Sequence, residues 1–152
     1  TVSLLLAAIR ETAEETGLFL VNQKLFKKSL PLNIDNTWQY FVKKSYKPNI
    51  NKLFFFGRAI TPSSLKIRFH ARFFISFFND FKGKLKTNGE LENLDWILLS
   101  KVRNYKIADV TEFMINEIIR LDGNYNSLPN KITFPMFTWK NNKRWIKWET
   151  LN

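Results

Sequence analysis

Nine residues near the start of the chain read Arg10-Glu11-Thr12-Ala13-Glu14-Glu15-Thr16-Gly17-Leu18 and predict a helix that ends at a glycine. Residues three and four apart share one face of a helix, so Glu11, Glu14 and Glu15 would converge and repel one another. A divalent cation would neutralise such a patch, and Mg²⁺ takes a few carboxylate oxygens together with waters and substrate phosphates. Arg10 can pair with the carboxylate one turn further on, and Gly17 has the position of a C-terminal cap.

This run resembles the second half of the Nudix box, whose consensus is Arg-Glu-U-x-Glu-Glu-x-Gly-U, with U an aliphatic residue. The matching residues are Arg10, Glu11, Glu14, Glu15, Gly17 and Leu18. Thr12 departs at the first aliphatic position, and Val2 occupies the place of a glutamate from the first half of the box. The glycine that opens the box would lie before Thr1, so we expect this chain to be a fragment whose N-terminal part is missing.

The resemblance implies an enzyme that hydrolyses a diphosphate linkage in a nucleoside diphosphate derivative, with Mg²⁺ or Mn²⁺ as the cofactor. It implies that Glu11 and Glu15 are metal ligands, that Glu14 is the third acidic member of the site, and that Arg10 orients the cluster. The general base differs across the family and is not assigned. A solvated acidic helix face is the alternative, and the arginine and glycine at their box positions in an otherwise basic chain disfavour it.

Later segments resemble, in the expected order, the branch of the family related to the peroxisomal coenzyme A diphosphatases. They are Ala59-Ile60-Thr61-Pro62, Arg68-Phe69-His70-Ala71-Arg72-Phe73-Phe74, Gly89-Glu90-Leu91-Glu92-Asn93-Leu94-Asp95-Trp96, Asp109-Val110-Thr111-Glu112, and Pro135 with the final hairpin. This branch implies coenzyme A or an acyl-CoA as the substrate. The alternatives are ADP-ribose, a nucleotide sugar, or a non-catalytic Nudix-like module that binds a nucleotide or RNA.

Several later residues are further candidates for the site. Many family members use a glutamate from a later loop, and the candidates are Glu90 and Glu92, with Glu90 favoured because it follows a flexible Asn-Gly turn. Arg68 and Arg72 could bind phosphates, since an arginine fork matches phosphate oxygens, or they could form the polar face of a strand. His70 is the single histidine and cannot build a transition-metal site alone.

Composition indicates one packed domain over residues 1–152, because 45% of the chain is hydrophobic and 16% is aromatic. The absence of cysteine excludes a disulfide framework and a thiolate metal site, and it fits a reducing cytoplasm. No apolar stretch approaches the roughly 18 residues of a membrane span, so no membrane partner is expected. The net charge of +11 is spread over scattered lysines, so we expect a small-molecule partner rather than a nucleic acid.

Periodicity and turn signals predict alternating helices and strands. Helices are predicted at 4–16, at 35–44 behind an Asp35 cap, at 100–105, and from a Thr111 cap to residue 120. Strands are predicted at 18–21, 53–61, 66–78, 94–99, 132–139 and 143–148, the last two joined by a turn at Asn141-Asn142. Trp96, Phe73 and Phe74 are expected in the core. The order favours an α/β sandwich with a mixed sheet and helices on both faces, which is the Nudix architecture.

Overall fold

A computed structural model describes residues 2–22, 35–62, 66–87, 89–141 and 143–150. It shows a mixed α/β protein with helices and two sheets, one of which is mixed. The predicted α/β class is therefore confirmed. The chain divides into two compact units, of which the first comprises Thr1–Leu53 and Ser76–Trp96 and the second comprises Phe54–Ile75 and Ile97–Asn152.

The helices and strands of the described ranges are α1 (Val2–Thr16), β1 (Leu18–Asn22), α2 (Asn36–Lys43), β2 (Lys47–Pro48), β3 (Phe54–Ile60), β4 (His70–Ile75), β5 (Phe81–Gly83), α3 (Asp109–Ile119), β6 (Thr133–Lys140) and β7 (Lys143–Thr150). Short 3₁₀ turns lie at Ile50–Lys52, Phe78–Asp80, Leu99–Asn104 and Tyr125–Asn130. Across the described ranges, no helix is both long and apolar enough to cross a bilayer.

The first unit packs α1 and α2 beside a small antiparallel sheet with the strand order β2-β1-β5. Its buried core is formed by Ile9, Ala13, Leu20, Val21 and Phe41. The apolar side predicted for the first helix is thus confirmed at Ile9 and Ala13, which are one turn apart. Val2, expected on the same side, is exposed, since it is the first residue of α1.

The turn from α1 into β1 requires glycine at position 17. Gly17 has a φ of +70°, and its N–H donates to the Ala13 carbonyl over 3.0 Å, so that α1 ends where the sequence predicted. A Cβ at this position would lie 2.8 Å from the carbonyl oxygen of Lys84. The Lys86 N–H also donates to the Thr16 carbonyl over 2.9 Å, which holds the end of α1 against the segment that follows β5.

The second unit contains the mixed sheet, with the strand order β4-β3-β6-β7. Strand β3 pairs antiparallel with β4 and parallel with β6, and β6 pairs antiparallel with β7. Helix α3 packs on β6, where the rings of Phe113 and Phe137 lie 5.5 Å apart. The predicted hairpin is confirmed, and it turns at Asn141, whose φ is +52°, while Asn142 lies outside the described residues.

The predicted strand at 94–99 is wrong. That segment forms no strand, and Leu99 begins a 3₁₀ turn. Trp96, expected in the core, is 60% exposed, and its ring lies 4.8 Å from that of Phe78. An apolar run becomes a strand only where a neighbouring strand pairs with it, and the sequence does not show whether one does.

Two element starts also differ from the prediction. Strand β4 begins at His70 rather than at residue 66, and Ile67 and Phe69 are 70% and 68% exposed, because the alternating pattern continues beyond the paired residues. Helix α3 is preceded by Ala108, which has no side-chain cap, so the predicted Thr111 cap lies inside the first turn. Phe73 and Phe74 are half-buried.

Candidate functional site

The acidic half of α1 is organised around Arg10. The Nη1 atom of Arg10 lies 3.3 Å from Glu14 Oε1 and 3.3 Å from Asp35 Oδ2, and its Nη2 atom lies 3.8 Å from Glu11 Oε1. The pairing with Glu14 is the one that the four-residue spacing predicts. The contact with Asp35 joins α1 to the residue that caps α2, and sequence spacing could not have shown it, since the two residues are 25 positions apart.

Glu14 is held from two sides. Besides Arg10, the Thr37 hydroxyl donates to the same oxygen, Glu14 Oε1, over 2.9 Å. Thr37 lies in the first turn of α2, where its N–H donates to Asp35 Oδ1 over 2.8 Å and forms the predicted cap. That hydrogen bond, with a smaller contribution from the positive charge of Arg10, lowers the pKa of the Asp35 carboxyl. Glu14 is therefore fixed in the contact between the two helices.

Glu11 and Glu15 make fewer contacts with the described residues than Glu14 does. Glu11 is exposed and has only the 3.8 Å contact with Arg10, while the half-buried Glu15 carboxylate has no hydrogen-bond or ion-pair partner among the described residues. These two carboxylates are four residues apart, so they lie one turn apart along the helix. Among the described residues, Glu11 and Glu15 thus have fewer partners than Glu14, which is already paired.

The donor set can be compared with what a metal ion needs. Within the described ranges, no three acidic, histidine or cysteine side chains stand close enough together to hold a metal ion. Glu11 and Glu15 still supply two carboxylates, and Mg²⁺ is commonly held by one or two carboxylates while keeping waters and substrate phosphates. The residues fit this weaker form of Mg²⁺ or Mn²⁺ binding, and the three-carboxylate site with Glu14 stays a prediction.

A cleft of about 680 Å³ opens beside Glu14 in the first unit. Its walls include Lys86, which supplies a cation, and Tyr40, whose ring stacks on that of Phe19 at 4.7 Å. Thr37 also borders the cleft. A cation, an aromatic surface and hydroxyl groups together suit a ligand that carries both phosphate and a planar ring. The sequence singled out neither Lys86 nor Tyr40, because the signal is their proximity and not a motif.

The later glutamates lie in the same unit. Glu90 and Glu92 are both exposed, on the irregular segment that follows β5, and Gly89 before them has a φ of +97°. Asn88, the other half of the predicted turn, lies outside the described residues. The expected role of Glu90 in completing the site stays a prediction.

The two candidate arginines belong to the second unit and line different pockets. Arg72 lies in β4 and borders a pocket that also contains His70, whereas Arg68 precedes β4 and borders a separate cleft with Trp145. The two arginines therefore line separate pockets of the second unit, and a role of either in phosphate binding stays a prediction. Comparison of the chain with protein-family models, with curated proteins and with solved structures finds no match.

Proposed function

We propose that α1 carries the carboxylates of a Nudix-type diphosphatase, and that the chain has a Nudix-like αβα sandwich. The observation that carries the proposal is the order of groups on α1. Arg10 pairs with Glu14, whereas Glu11 and Glu15 have fewer contacts among the described residues. Gly17 ends the helix in the left-handed conformation.

Each residue then has a distinct task. Glu11 and Glu15 would hold Mg²⁺ or Mn²⁺, with Arg10 and Glu14 as positioning residues. When bound, such an ion neutralises phosphoryl charge and lowers the pKa of a coordinated water. Lys86 at the neighbouring cleft would bind a phosphate group, and a carboxylate of the site would accept the proton of the attacking water. The products would be two phosphate-bearing fragments of a nucleoside diphosphate derivative.

The substrate class follows from the branch resemblance. Coenzyme A or an acyl-CoA is the favoured substrate, ADP-ribose and nucleotide sugars are the alternatives, and the cytoplasm is the proposed location. The test is a screen of coenzyme A, ADP-ribose and UDP-glucose for diphosphate cleavage, with Mg²⁺, with Mn²⁺ and with a chelator. Metal-dependent release of a nucleoside monophosphate, or of adenosine 3′,5′-bisphosphate from coenzyme A, is expected from at least one of them, and the absence of turnover with every combination would contradict the proposal.

A glutamine variant makes the assignment specific to α1. Glu15→Gln keeps the shape of the side chain and removes its charge, and turnover should fall by about two powers of ten, or roughly 3 kcal/mol of transition-state stabilisation. The matched control is Asp122→Asn, which removes an exposed carboxylate from the turn after α3 at a φ of +46°, a conformation that asparagine tolerates. Equal activity of Glu15→Gln and the parent would remove α1 from the reaction.

A second candidate is a module that binds a nucleotide or RNA without cleaving it. It is favoured by the engagement of Glu14 with Arg10 and Thr37, which leaves two rather than three open carboxylates. Such a module would bind ADP-ribose or an RNA oligonucleotide in a metal-independent way and would show no turnover. A steep fall of affinity with salt would indicate phosphate contacts.

A further inference from the structure

A pocket of about 240 Å³ in the second unit combines charged and apolar walls. It is bordered by Arg58 of β3, His70 and Arg72 of β4, and Glu149 of β7, with the rings of Phe55 and Phe134 as apolar walls. Arg58 and Arg72 are direct partners across the β3–β4 pair, and Phe134 and Glu149 are partners across the β6–β7 pair. The sheet itself therefore sets the spacing of these groups.

Glu149 is held chiefly by Arg58, with Lys147 Nζ at 4.0 Å from Glu149 Oε1 as a second, weaker cationic contact. The Nε atom of Arg58 donates to Glu149 Oε2 over 2.6 Å, and its Nη2 atom donates to Glu149 Oε1 over 2.7 Å. This two-pronged contact raises the pKa of Arg58 and lowers the pKa of Glu149. The carboxylate is therefore ionised and already paired, and it does not neutralise the other cation of the pocket.

The contact with Arg58 also fixes the protonation of His70. Arg58 Nη1 lies 3.0 Å from His70 Nε2, and a guanidinium can only donate, so Nε2 accepts. The neutral ring then carries its proton on Nδ1 and offers it as a donor. Partial desolvation, and then the positive charges of Arg72 and Arg58, lower the pKa of His70, while Glu149 opposes the shift. His70 is thus a neutral hydrogen-bond donor at physiological pH.

Arg72 is the open cation of the pocket. It forms no hydrogen bond or ion pair with any described residue, although it lies beside His70 and across from Arg58. Two arginines against one carboxylate leave the pocket with a surplus positive charge. The unused donors are the guanidinium fork of Arg72 and the Nδ1–H of His70, and both match the oxygens of a phosphate group.

The size and the walls of the pocket limit the kinds of ligand that it can bind. A volume of about 240 Å³ is larger than a bare ion needs. The rings of Phe55 and Phe134, 4.9 Å apart, give an apolar surface next to the cationic groups. We propose that this pocket binds an organic phosphate monoester, with the phosphate on Arg72 and His70 and the organic part against Phe55 and Phe134. The proposal does not depend on the diphosphatase activity.

The test uses phenyl phosphate, inorganic phosphate and benzoate with the whole chain. His70 is the single histidine, so its ring resonances report on this pocket without assignment of other histidines. We expect phenyl phosphate to shift these resonances, to raise the pKa of His70, and to bind about tenfold more tightly than inorganic phosphate because of the apolar walls. Benzoate that binds as tightly as phenyl phosphate, or His70 resonances that do not respond, would overturn the proposal.

Two arginine variants distinguish specific binding in this pocket from a general attraction of the anion to the net charge of the protein. Arg72→Gln should weaken phenyl phosphate binding about tenfold or more, while Arg103→Gln, which removes an exposed arginine outside the pocket, should change it less than about twofold. Equal losses in both variants would show that the net charge of +11 alone attracts the anion. If Arg72→Gln does not fold, Arg72→Lys keeps the charge without the fork and should still weaken binding, and unchanged binding by that variant would contradict the proposed geometry.

Discussion

Arg10 and Thr37 are the residues that determine which carboxylate of α1 is occupied. Both direct their donors at the same oxygen of Glu14, at 3.3 and 2.9 Å. Glu14 consequently belongs to the contact between α1 and α2, while Glu11 and Glu15 have fewer partners among the described residues and are the proposed metal ligands. The half-buried position of the Glu14 side chain, at 28% exposure, reduces the competition from water for these contacts.

The Thr37 contact can be tested by two substitutions. Thr37→Val removes the hydroxyl and keeps the branched shape, and we expect it to lower the free energy of unfolding by about 1 kcal/mol, since Glu14 loses a donor. Thr37→Ser retains a hydroxyl and should cost less. Urea unfolding of both variants provides the comparison, and equal destabilisation would show that the hydroxyl does not contribute.

The lowered pKa of His70 predicts how the free energy of unfolding changes with pH. Its pKa in the folded chain is lowered, so the unfolded chain binds more protons in the interval between the lowered value and the unfolded pKa of about 6.5. The contribution to stability is fully present above about pH 6.5 and is lost as the pH falls through the lowered folded-state value. Part of the decline in unfolding free energy between pH 7 and pH 5 should therefore disappear in His70→Gln, when parent and variant are compared by urea unfolding. A decline as steep in His70→Gln as in the parent would contradict this assignment.

At the scale of elements, the end of α1 is a closely packed place. Gly17 and Gly83 approach each other closely, and a Cβ on Gly17 would meet the backbone of Lys84. Residue 17 must adopt a left-handed conformation, and it must also lack a Cβ because neighbouring atoms lie close to it. Both conditions must be met for α1 to end where β1 begins.

The cost of the backbone conformation and the cost of the crowding can be measured separately by comparing alanine substitutions at two glycines. Gly17→Ala and Gly123→Ala both place alanine at a positive φ, +70° and +79°, which costs roughly 1–2 kcal/mol. A Cβ at Gly123 meets no atom within 4 Å, whereas one at Gly17 lies 2.8 Å from a carbonyl oxygen. Gly17→Ala should therefore lower the unfolding free energy by about 1 kcal/mol more than Gly123→Ala does, and equal losses would show that the crowding relaxes without cost.

Local signals account for the elements that the sequence predicted well. The Asp35 cap, the Gly17 stop and the spacing of Ile9 and Ala13 each involve residues within one or two turns, so the sequence contains their complete description. The predicted strand at 94–99 is wrong because strand formation depends on a partner elsewhere in the chain. The same limit applies to the pockets, since Arg58 and Glu149 are 91 positions apart and no spacing rule joins them.

At the scale of the whole molecule, metal binding should appear as added stability. If Glu11 and Glu15 hold Mg²⁺ in the folded chain only, a concentration about 100 times the Kd stabilises it by about 2.7 kcal/mol, or a Tm rise of about 5–10 °C for a chain of this size. Asp122→Asn should retain the rise. Glu15→Gln should lose most of it, and without metal it should be at least as stable as the metal-free parent, because one repulsion is removed. An equal Tm rise in Glu15→Gln would exclude this pair of ligands.

The order of strands in the mixed sheet affects how the chain folds during its synthesis on the ribosome. Strand β3 pairs with β4 soon after both emerge from the ribosome, but its other edge must wait for β6, and Arg58 must wait for Glu149, which is 91 positions later. At a synthesis rate of about 5–20 residues per second, that interval lasts about 5–18 s. During it, the edge of β3 at Arg58 and Ala59, which later pairs with β6, stays unpaired in a strand that also carries phenylalanines at residues 54–56, and such an edge is a template for pairing with other chains. We therefore expect ribosome-bound chains stalled before β6 to recruit chaperones that recognise extended apolar segments, and chains stalled after β7 to release them.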